Sequence, residues 1–101
     1  MPKGYVVVTE LIQDPDGMHA YGQAAGPSLV EGGATVLVVD RQPAVIEGAW
    51  PATQTVVLEF QSVEAAHAWY YSDTYQAAAK IRQAAAISNV VILSGFDSGN
   101  G

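Results

Sequence analysis

Three segments of this chain, Tyr5 to Ile12, Gln54 to Phe60 and Val90 to Leu93, carry apolar side chains on both of their alternating faces. Successive side chains of a strand point to opposite sides of the sheet, so a strand with one wet face alternates apolar with polar residues. Here Val6, Val8 and Glu10 alternate with Tyr5, Val7 and Thr9; Val56, Leu58 and Phe60 alternate with Thr55, Val57 and Glu59; Val90 and Ile92 alternate with Val91 and Leu93. Neither set is convincingly polar. A sheet made of such strands needs cover on both sides.

Between the strands the period changes. Asp14 is suited to cap a helix, Pro15 to occupy its first position and Asp16 to sit near its positive end. Met18, Tyr21, Gly22, Ala25 and Leu29 then follow the three-and-four spacing of one helical face. Gly26-Pro27 predicts a bend or division, because proline removes an internal hydrogen bond, and Gly32-Gly33 predicts the stop. Ala34 to Asp40 reads as a further strand, Ala44 to Glu47 as a short extended piece, and Gly48-Ala49-Trp50-Pro51 as a loop. Ser62 offers the cap of a second helix with Val63, Ala66, Trp69 and Tyr70 on its apolar face; Ser72 or Asp73 recaps after a break. Thr74, Ala78, Ile81 and Ala85 predict the inward stripe of that second piece, with Tyr75 and Arg82 on a flank, and Ser88-Asn89 its close.

Without the short piece the order is βαββαβ, the ferredoxin-like α+β arrangement of an antiparallel sheet with both helices on one side. A chain of 101 residues spends its helices covering that one side. The simplest second cover is another copy of the same sheet in a twofold homodimer. The competing account is that valine favours strands and simply stands exposed. Residues 1–96 are expected to form one domain, and 97–101, which lack an apolar anchor, a frayed tail.

Composition narrows the chemistry. With 4 basic residues against 10 acidic ones and a net charge of -6, nucleic acid and anionic membranes are poor partners. No apolar run approaches the length of a membrane span, and a cytoplasmic location is expected. Cysteine is absent, which excludes disulfides and thiolate nucleophiles. His19 and His67 are the only histidines, and nothing has the spacing of a metal site, so neither a metal nor a cofactor is expected. Phosphate-binding glycine motifs and a nucleophile elbow are also missing. His67 lies three residues after Glu64, an arrangement that would fix its tautomer or simply make a solvated helix contact. Glu59 shares parity with Val57 and Thr55. There it would pair with Arg41 or Arg82, act as an acid or base of raised pKa, or stay wet at a strand edge. Glu47 is a loop carboxylate near Trp50.

Read together, Gly4-Tyr5, Asp14-Pro15, Tyr21, Pro27, Gly32-Gly33 and Glu47-Gly48 are followed by a denser set. It comprises Thr55 to Phe60, Ser62 to Tyr70, Ser72, Tyr75-Gln76, Arg82 and Val90 to Gly95. These residues resemble the uncharacterised family numbered 1330 among domains of unknown function, in the dimeric α+β barrel superfamily, over about residues 4 to 96. The resemblance implies a ferredoxin-like dimer with a pocket between helices and sheet. Tyr21, Trp69, Tyr75 and Arg82 would line that pocket with Trp50 near a rim, and core packing is the rival role for each ring. Relatives often carry a basic residue where Ala34 and Gln54 stand here; if those residues hold an anion, the resemblance implies that this chain has either lost that grip or moved it to Arg41 and Arg82.

The resemblance implies a small apolar or aromatic ligand. It extends to a cofactor-free monooxygenase or isomerase acting on a phenolic or quinone-like compound, with Tyr21 or His67 orienting an oxygen and Glu59 moving a proton. A non-catalytic structural or stress-related accessory is the alternative.

Overall fold

The computed structural model describes residues 2–96, so the expected tail at 97–101 lies outside the described residues. Seven elements follow in order: β1 Gly4–Ile12, α1 Pro15–Gly32, β2 Thr35–Asp40, β3 Gln54–Phe60, α2 Val63–Tyr70, α3 Asp73–Ala85 and β4 Ala86–Ser94. The strands form one antiparallel sheet in the order β2-β3-β1-β4. This is the ferredoxin-like α+β topology, with the second helix broken into α2 and α3.

Local chemistry explains the helix ends. Asp14 Oδ1 accepts from Gly17 N (3.2 Å), and Pro15 opens α1. Ser62 and Ser72 cap α2 and α3 by accepting from Ala65 N and Tyr75 N. Gly33 ends α1 in the left-handed conformation (φ 73°), letting Ala34 N donate back to Leu29 O. Contrary to the expected division, α1 runs unbroken through Pro27. The carbonyl that Pro27 cannot serve is that of Gln23; both residues are exposed, where water replaces the lost donor.

Two other boundaries and one helix face differ from expectation. Ala44 to Glu47 forms no ladder. Its loop is held by side chains instead, with Trp50 Nε1 donating to Thr55 Oγ1 (2.8 Å). Ser88-Asn89 does not close α3, because the chain passes directly into β4 and pairs Ala86 with Ile12. On α3 the inward stripe is Tyr75, Ala78, Ala79, Arg82 and Ala85, while Thr74 is exposed. Tyr75 is inward because its ring meets Tyr21 of α1 and Trp69 and Tyr70 of α2, and Arg82 follows it by donating to its hydroxyl.

The core lies between the helices and the sheet. Val6, Val8, Leu58 and Phe60 face Ala25, Ala66, Trp69, Tyr75, Ala78 and Ala79. Trp69 is central: its ring lies 4.1 Å from that of Tyr75 and 5.4 Å from that of Phe60. Its indole N–H donates to Ser28 Oγ (3.1 Å), which donates to Ala25 O. A buried indole therefore leaves no donor unpaired.

Among the described residues, the opposite face carries no helix. Leu11, Val38, Ile87, Val91 and Leu93 are all at least 40% exposed there, around the half-buried Val7 and Val57. Polar side chains share this face in two rows, Thr55, Thr9 and Asn89 in one, with Asn89 Nδ2 donating to Thr9 Oγ1 (3.0 Å), and Glu59 and Tyr5 in the other. Among the described residues, no helix is long and apolar enough to cross a membrane.

Candidate functional site

The helix layer does not cover the whole sheet. α1 packs on α3 and, less extensively, on α2, and stands off the strands. β2, at the sheet edge, is left without a helix above it. Val36 and Val39 pair with Leu58 and Val56 and so share their helix-side parity, yet are 50% and 54% exposed. The gap between α1 and this side of the sheet is a cavity of about 720 Å³, within the size range of small-molecule sites. Val8, Val56 and Leu58 form part of its floor, and Met18, Ala25 and Leu29 part of its wall.

Its first polar group comes from one row across the sheet. Glu10 pairs with Gln54 on one side and Ser88 on the other. Glu10 is only 1% exposed although it lines the cavity. Gln54 Nε2 donates to its Oε1 (2.8 Å), and its second oxygen has no protein partner among the described residues. Burial pushes the Glu10 carboxyl above the usual range, against the smaller opposing effects of the Gln54 hydrogen bond and the Arg82 charge. Ser88 Oγ, next in the row, is buried without a hydrogen-bond partner among the described residues.

A second polar group enters from the helices. The Tyr21 and Tyr75 hydroxyls share a hydrogen bond of 2.9 Å, and the buried Arg82 donates from Nε to Tyr75 Oη (3.3 Å). Burial, followed by the neighbouring Tyr75, pushes the Tyr21 phenol far up. Tyr21 is therefore a neutral hydrogen-bonding group at neutral pH. Arg41 and His19 also line the cavity and are exposed, which places them at its mouth.

The expected site residues separate. Tyr21 and Trp69 line the cavity, Trp69 as a core residue as well. Tyr75 and Arg82 stand behind Tyr21 through hydrogen bonds. Trp50 lies elsewhere, in a shallower concavity with Val38, Val45, Ile46 and Thr55.

Glu59 does not meet Tyr21. Its parity puts it on the helix-free face, where Tyr5 donates to Oε2 (2.9 Å) and Lys3 Nζ lies 4.0 Å from Oε1. Neither Arg41 nor Arg82 pairs with it within the chain. His67 is exposed, its ring parallel to that of Tyr71 at 6.3 Å. Tyr21, His67 and Glu59 thus share no cavity. Glu10 was legible as a charge following Val6 and Val8 on the helix-facing parity of an apolar strand, a stronger signal than Glu59. Gln54 had no such signal, since a strand-end amide looks solvated until its partner is known.

Comparison with known proteins adds the context. The family profile of a domain of unknown function, DUF1330, matches residues 3–96. No curated protein matches the chain. A Rhodopseudomonas palustris protein of unknown function is similar in structure at 21% identity and a TM-score of 0.73, over 95% of this chain and 84% of that one. SnoaB, a cofactor-independent oxygenase from Streptomyces nogalater, aligns over 100% of both chains at 8% identity and a TM-score of 0.65. A dimeric protein of unknown function and ferredoxin-like fold from Bacteroides fragilis aligns over 91% of this chain and 95% of that one, at 12% identity and a TM-score of 0.60. At such identities the structures share the fold. The sequence match over residues 3–96 goes further, and the chain belongs to the DUF1330 family.

Proposed function

We propose that the protein is a homodimer that binds a small, largely apolar or aromatic molecule in the cavity between α1 and the sheet. The observation carrying this reading is a cavity with apolar walls and two polar groups inside it, the Glu10–Gln54 pair and the Tyr21 hydroxyl. Tyr21 and Trp69 contact the ligand, and Tyr75 with Arg82 holds Tyr21 in place. The dimer forms through the helix-free face, where exposed Val38, Val91 and Leu93 need a cover, and Glu59 and Trp50 belong to that side. Support comes from the dimeric Bacteroides protein of the same fold.

A thermal-shift screen against phenols, quinones and small organic acids tests the binding reading. Gly22 lines the cavity, and a Cβ there meets nothing within 4 Å. Gly22→Leu should therefore fill the site without harming the helix. Ligand-induced stabilisation in the parent chain and its loss in Gly22→Leu is the expected result; equal stabilisation in both would place the ligand elsewhere. Stabilisation by none of the compounds would favour the non-catalytic accessory role.

A buried carboxyl of raised pKa beside a cavity also supports a second reading, cofactor-independent oxidation of a phenol. Glu10 would take the phenolic proton and dioxygen would be the oxidant, one phenol and one dioxygen giving one quinone and one water. Oxygen uptake that disappears in Glu10→Gln is the expected sign, and uptake unchanged by that substitution would contradict it.

A further inference from the structure

We propose that the cavity takes a hydroxylated aromatic or alicyclic carboxylic acid, whose hydroxyl meets the free oxygen of Glu10 and whose carboxylate meets Arg41 at the mouth. This rests on the cavity being the ligand site and adds the polarity of the ligand.

Charge is distributed unevenly around the cavity. The chain has 10 acidic and 4 basic residues, yet among the described residues Glu10 is the sole acidic one lining the cavity, with Arg41 and His19 at its mouth. Arg82 acts electrostatically on Glu10 from behind, so the inner end does not require a cationic ligand. At the outer end Arg41 has no carboxylate within 4.0 Å among the described residues, where the one ion pair is Lys3 with Glu59. An amine would meet repulsion from both guanidinium groups. A plain hydrocarbon filling the cavity would cut the second Glu10 oxygen off from water and leave it without a partner, which costs free energy.

The strand register sets the spacing of the two groups. Asp40 pairs with Thr55, and Gln54 pairs with Glu10. Arg41 therefore follows β2 beside Gln54, in the same row as Glu10 and two strand spacings away, roughly 10 Å between backbones. Both side chains line the same cavity. Apolar floor from Val39 and Val56 adjoins this row. A ligand bridging the two groups needs an acceptor-seeking hydroxyl at one end, a rigid apolar middle and an anion at the other. Guanidinium with carboxylate forms paired, charge-assisted hydrogen bonds, which gives the outer contact its selectivity.

Calorimetric titration of the full chain with 4-hydroxyphenylacetate, phenylacetate and p-cresol tests this. The hydroxy acid should bind about tenfold more tightly than p-cresol, which lacks the carboxylate, and several-fold more tightly than phenylacetate, which lacks the hydroxyl. Arg41→Gln, at an exposed position, should abolish the advantage over p-cresol and leave p-cresol affinity unchanged. Glu10→Met keeps the volume and should abolish the advantage over phenylacetate; if it does not fold, the Arg41→Gln comparison decides. p-Cresol binding as tightly as the hydroxy acid, or an advantage that survives Arg41→Gln, would overturn the inference while the cavity reading stands. Binding of none of the three probes would overturn both.

Discussion

Glu10 follows Val6 and Val8 on the face of β1 that looks at the helices, where a carboxylate loses its hydration and receives one amide donor in return. Its pKa is raised in the folded protein, chiefly by burial, so the native state holds the proton to higher pH than the unfolded chain. The linkage then has a definite sign. Native protein binds more protons than unfolded protein between the unfolded value near 4.5 and the higher folded value, so stability falls as pH rises through that window. Glu10→Gln should remove this contribution. Urea unfolding of both proteins from pH 4 to pH 8 should show the variant gaining relative stability as pH rises, with a plateau above the folded pKa; parallel curves would mean that Glu10 is solvated. Tyr75 works at the same scale. Its hydroxyl joins the buried Arg82 to Tyr21, giving the guanidinium a neutral partner where a carboxylate would otherwise be expected.

Element by element, the sequence was most readable where a single residue type has a single physical use. Asp14, Ser62, Ser72 and Gly33 marked helix ends because each satisfies or closes a backbone group that nothing nearby could serve, and Pro15 because it lacks the N–H that would go unpaired in a first turn. Gly33→Ala should cost about 1–2 kcal/mol, since a side chain would be forced into the left-handed region; a melting temperature unchanged from the parent would show that the cap relaxes. Other boundaries depended on distant partners. Pro27 reads as a breaker, but the exposed side of α1 tolerates the lost bond. The early start of β4 is set by pairing with Glu10, Leu11 and Ile12, which no local pattern records. The inward turn of Tyr75 and Arg82 likewise depends on α1, from which Tyr21 meets Tyr75. The site was half legible: aromatic residues near helices pointed to the right layer, while the Glu10–Gln54 pair required knowing the register of β1 and β3.

The whole molecule is a slab, 44 × 37 × 16 Å, with helices over one side and an apolar sheet surface on the other. That asymmetry is what two copies would resolve by packing sheet to sheet. Val57 lies on the helix-free parity of an interior strand, and Val57→Glu should raise the dimer dissociation constant at least about tenfold by placing an unpaired charge in the interface. Sedimentation showing the parent chain as a monomer in dilute solution would contradict the assembly. The cavity faces the other way, so ligand binding and dimerisation should be separable. The most direct measurement of the functional account is a nitrogen-15 amide NMR titration with 4-hydroxyphenylacetate. The account predicts shifts at Val8, Glu10, Tyr21, Gln54 and Val56, with the signals of Val45, Ile46 and Trp50 unmoved. Shifts confined to the Val45–Trp50 loop, or none anywhere, would contradict it.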